Sequence, residues 1–77
     1  MNQRTRNELT KMELALEEMR DRIEELKELE EEKYESLPEG LQYTDQGLAM
    51  EAAASELEDA ITAIDDAMAA IGEAAHQ

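Results

Sequence analysis

The chain has no cysteine, no tryptophan and no phenylalanine, and after Lys33 it has no lysine or arginine. Without cysteine, neither a disulfide nor a thiolate metal site can staple a 77-residue chain, a length near which a single core is marginal. The redox compartment is left open, with a reducing cytoplasm as the default expectation. Catalytic resources are equally sparse. His76 is the single histidine, Ser36 and Ser55 have no positioned base, and no glycine-rich loop is available to cradle a phosphate. We therefore expect no enzyme and no cofactor. No apolar run is long enough to cross a membrane. Met1–Arg6 carries charge without an apolar segment behind it, unlike a signal peptide.

What is present is acid. Asp and Glu number 21 against seven Lys and Arg, giving a net charge of −14. Direct binding to DNA or RNA is disfavoured, because the counterion-release term would act against it. High acidity can also mean disorder. Here 42% of the residues are apolar and they recur at helical spacing, which argues for folding.

Leu9, Met12, Leu16, Met19, Ile23 and Leu26 alternate in steps of three and four, an apolar seam that predicts a first helix over about Arg4–Glu35. Pro38 and Gly40 interrupt the pattern, so a turn is expected over about 36–44. Gly40 permits a positive φ, and Ser36 with Glu39 has the spacing of a capping box around a short helical turn. Thr44 or Asp45 should cap a second helix over about 45–74, fraying near Gly72. Its seam is Met50, Ala54, Leu57, Ile61, Ile64, Met68, Ile71 and Ala75. The fold class expected is all-α, one domain, an antiparallel two-helix hairpin of coiled-coil type.

Ala53, Ala60, Ala67 and Ala74 form a second stripe of period seven beside that seam. Two readings stay open. Alanine either supplies helix propensity on a half-exposed face, or lets two hairpins pair into a four-helix bundle. The small core favours the homodimer; self-repulsion opposes it.

The acidic residues are patterned too. Glu17-Glu18, Glu24-Glu25 and Glu31-Glu32 recur every seven residues in the first helix. The second helix carries Glu51, Glu58, Asp59, Asp65, Asp66 and Glu73 with no cation to relieve them. Glutamate on the outside of a soluble coiled coil is commonplace, and Arg20, Arg22 and Lys27 offer local pairing in the first helix. A helix with carboxylates and no cations is less ordinary, because i,i+4 ion pairs normally add stability. It suggests a basic partner, bound fast and with strong salt dependence. Glu73-x-x-His76 has di-iron spacing, but one copy without further inward ligands predicts no metal site.

The segment Leu37-Pro-Glu-Gly-Leu-Gln-Tyr-Thr-Asp-Gln-Gly47, between a Glu/Lys-rich helix and a Glu/Ala/Ile heptad helix, resembles a group of short uncharacterised acidic helical proteins. These belong to Gram-positive bacteria, their phages and mobile elements. The resemblance implies a setting in which small acidic proteins inhibit host-defence nucleases, as anti-CRISPR proteins that mimic DNA do. Two functions are thus carried forward. One is an acidic inhibitor occupying the basic surface of a nucleic-acid-binding enzyme through the carboxylates just named. The other is a structural or adaptor coiled coil that self-associates or captures a partner helix.

Overall fold

The structure is a computed structural model describing residues 1–77. It is all-α: α1 spans Gln3–Ser36, α2 Glu39–Gln42 and α3 Asp45–Ala75. Asn2 starts α1 by accepting a hydrogen bond from the Thr5 amide at 2.8 Å, and no glycine or proline interrupts the following 34 residues. The helix stops where Pro38 forces its predecessor out of the helical region. Leu37 has φ −70° and ψ 140°.

The connection is built differently from the sequence expectation. Ser36 remains in α1, and Pro38 starts α2 without a side-chain cap, so the Ser36/Glu39 capping box does not form. Gly40 sits inside α2, and no glycine has a positive φ. The glycine that matters is Gly47. A Cβ there would lie 2.4 Å from the Gln42 carbonyl oxygen and 2.7 Å from that of Leu41. Only a bare α-carbon lets the first turn of α3 pass so close under α2. Thr44 fixes the same corner, donating its hydroxyl to the Leu41 carbonyl at 2.6 Å and accepting from the Gly47 amide at 3.4 Å. Gln42 closes the end of α1. Its side-chain amide nitrogen donates to the Leu37 carbonyl at 3.4 Å and to the Tyr34 carbonyl at 3.2 Å, which also accepts from the Leu37 backbone amide.

α1 and α3 lie against each other along their length and run in opposite directions. Arg20 meets Asp65, Lys27 meets Glu58 and Tyr34 faces Glu51, so each step of seven along α1 is answered by a step of seven back along α3. The result is a rod with Cα extents of 58 × 15 × 12 Å. Only Gly47 and Ile61 are buried; the other residues packed between the helices are half-buried.

On α3 the inward residues are those its spacing predicts, from Met50 to Ala75. On α1 the seam is displaced. Leu9, Leu16, Ile23, Tyr34 and Leu37 turn inward, but Met12, Met19 and Leu26 are exposed. In their place Glu13, Arg20 and Lys27 turn toward α3. The physical reason lies in what α3 offers on its two sides. One side carries Asp65 and Glu58, which hold Arg20 and Lys27 while their aliphatic stems cover apolar surface. The other side carries alanines, which give methionine little area to bury against. α3 continues through Gly72 to Ala75, with the Glu13 carboxylate beside Gly72.

Candidate protein-binding faces

The register divides the rod into unlike faces. Along one edge of the helix pair runs a polar ladder. Arg20 Nε donates to Asp65 at 2.7 Å, and Lys27 Nζ donates to Glu58 at 2.7 Å. Lys27 is also within 3.4 Å of Glu24 and 3.7 Å of Glu31. These partners raise both cations' pKa values, the hydrogen bonds to Asp65 and Glu58 being the largest causes. At the next rung Tyr34 is raised, first by burial and then by the Glu51 carboxylate facing its phenol. Arg6 extends the edge at the far end, donating to the Gln77 carbonyl at 2.7 Å.

The ladder sorts the carboxylates expected to meet a partner. Glu58, Asp65, Glu24 and Glu31 are held by Arg20 or Lys27, and Glu25 pairs with Arg22 at 2.8 Å. Glu51 is exposed, has no cation partner and faces the Tyr34 phenol. The six that remain are Glu17, Glu18, Glu32, Asp59, Asp66 and Glu73; all are exposed, and none has a cation within 4.0 Å. Asp59, Asp66 and Glu73 share one heptad line on the outside of α3. Glu18 and Glu32 share another on the outside of α1. Reading each helix by itself misses the cross-helix pairing, because the cations that relieve α3 lie on α1.

Near the α2 end, Glu31, Tyr34, Glu35, Met50, Glu51 and Ala54 line a shallow cavity of about 230 Å³. His76 caps the C-terminus of α3 through its backbone and is exposed. Nowhere do three of His, Asp and Glu come together as a group able to hold a metal ion.

The face opposite the ladder is apolar. Met12 and Met19 are 53% and 54% exposed, with Leu26 and Leu29 continuing their line. Across the groove, Ala53, Ala60 and Ala74 are half-buried and Ala67 is exposed.

Fold and faces together define an all-α, strongly acidic rod with an acidic periphery and one apolar side. No known protein family, curated protein or solved structure matches the chain. No helix is long and apolar enough to cross a membrane.

Proposed function

We propose that this chain is an antiparallel helical hairpin that inhibits by occupying the basic, nucleic-acid-binding surface of a protein, in the manner of an anti-CRISPR DNA mimic. The observation that carries this reading is the set of unpaired carboxylates on the outside of the rod, above all the line Asp59, Asp66 and Glu73. Ion pairing within the fold accounts for Glu58 and Asp65 and leaves these unexplained.

Charge density supports the reading. Fourteen net negative charges over a 58 Å rod amount to one per about 4 Å. A single nucleic-acid strand carries one per about 3.4 Å, and a duplex one per about 1.7 Å. A groove lined with lysine and arginine would meet the rod much as it meets a strand. A second reading, a coiled coil that acts through helix pairing alone, is favoured by the exposure of Met12 and Met19.

Capture of host proteins by the tagged chain at low and high salt, after nuclease treatment, tests the proposal. Expected is a nucleic-acid enzyme that elutes with salt, is inhibited by the chain, and is released by competing DNA or RNA. The decisive variant combines Asp59→Lys, Asp66→Lys and Glu73→Lys, which leaves the ladder intact. It should lose inhibition while retaining its helix content. Undiminished inhibition by that variant would end the mimicry account.

A further inference from the structure

We propose that two copies of this chain pair through the face opposite the ladder, each copy's Met12, Met19 and Leu26 seating on the alanine stripe of the other. The proposal goes beyond the inhibitor reading and does not depend on it.

The surface has the geometry of a self-complementary interface. With the ladder fixing the register, Met12, Met19 and Leu26 on α1 stand level with Ala74, Ala67 and Ala60 on α3. One helix therefore presents a ridge of long side chains and its neighbour a shelf of short ones. A two-fold axis parallel to the rod lays each ridge over the other copy's shelf. Because the levels already match within one copy, this needs no shift along the axis. Every neighbouring pair of helices is then antiparallel, and residues i and j exchange partners as an isologous contact requires.

Area argues for the same occupant. A compact chain of 8.7 kDa exposes about 4,700 Å² by the usual scaling of surface with mass. This one exposes 5620 Å². The excess of about 900 Å² compares with the roughly 800 Å² that each partner buries in a standard interface.

Charge completes the case. The charged residues beside the face are Arg22 and Lys33, each paired with a carboxylate of its own helix (Glu25 and Glu30), and the unpaired Glu8 and Glu56. On a chain of net charge −14, two unpaired carboxylates beside this face leave a second copy little like charge to meet there. One consequence rests on the inhibitor reading. Two copies side by side carry one net charge per about 2 Å of rod, which moves the density from that of a strand to near that of a duplex.

Sedimentation velocity on the full chain, from micromolar to millimolar concentration and from low to high salt, tests the pairing. The expected result is a monomer–dimer equilibrium that strengthens with salt, since screening relieves the repulsion between two acidic rods. Binding to a basic partner weakens with salt, so the two proposals fail separately. Met19→Glu and Ala67→Glu each enter the interface twice and should raise the dimer Kd about tenfold or more. Both sites are exposed in the monomer, so far-UV circular dichroism should show helix content unchanged. Asp66→Lys, on the outer surface, should leave the dimer in place. A monomer at every concentration and salt, or a dimer that survives Met19→Glu, would overturn the proposal.

Discussion

Lys27 is the most heavily engaged cation in the molecule, with Glu24, Glu31 and Glu58 all within 3.7 Å of its ammonium. Its pKa is raised above the ordinary 10.5, chiefly by the hydrogen bond to Glu58. A cation whose folded pKa is raised contributes stability in full below its unfolded value and loses it as pH climbs through the folded one. Tyr34 works in the same direction. Burial and then Glu51 lift its phenol above 10.0, so the folded state favours the neutral form, and that preference is lost under alkaline conditions. Thermal melts should therefore hold level up to about pH 10 and fall beyond it. Tyr34→Phe should remove part of the fall while leaving the melting temperature near neutrality little changed. Identical alkaline profiles for the two proteins would show that Tyr34 plays no part.

The connection between the long helices turns on one glycine, and the wrong one stands out in the sequence. Gly40 follows Pro38 in a typical breaker, yet it is helical and nothing lies within 4 Å of the Cβ it lacks. Gly40→Ala should stabilise by about 0.5–1 kcal/mol, the entropic cost of glycine in a helix. Gly47→Ala should instead destabilise by about 2 kcal/mol or more, because the new carbon meets the backbone oxygens of Gln42 and Leu41 and backbone cannot move aside cheaply. Urea midpoints moving in opposite directions would bear this out, and equal shifts would not. Gly47 hides in sequence because it lies inside α3, where helical spacing gives no hint that another segment crosses it. Thr44 was legible as a cap, since its hydroxyl needs only the three residues after it. The two sides of α1 were not legible. Met12, Met19 and Leu26 have the correct period for a seam, and nothing within α1 says that Arg20 and Lys27 have stronger reasons to face α3.

The molecule as a whole combines a very small core with a large uniform charge. Ile61 is the one buried apolar side chain, and the net charge of −14 is spread over a rod 58 Å long. Repulsion between the outer carboxylates works against such a fold. Added salt at neutral pH should raise the melting temperature, because it screens that repulsion. A melting temperature that fell with added salt would mean that the ladder's ion pairs outweigh the repulsion around them.

By itself the sequence determined that this protein is all-α, acidic throughout its second half, and interrupted once near Pro38. Those properties follow from spacing, composition and the stereochemistry of proline, which act within a few residues of chain. Tertiary structure alone decided which flank of α1 turns inward, which carboxylates are spent on Arg20 and Lys27, and which methionines stay outside. These are choices between two sides of one helix, and their energies depend on charges and side-chain sizes presented by another helix thirty or more residues away.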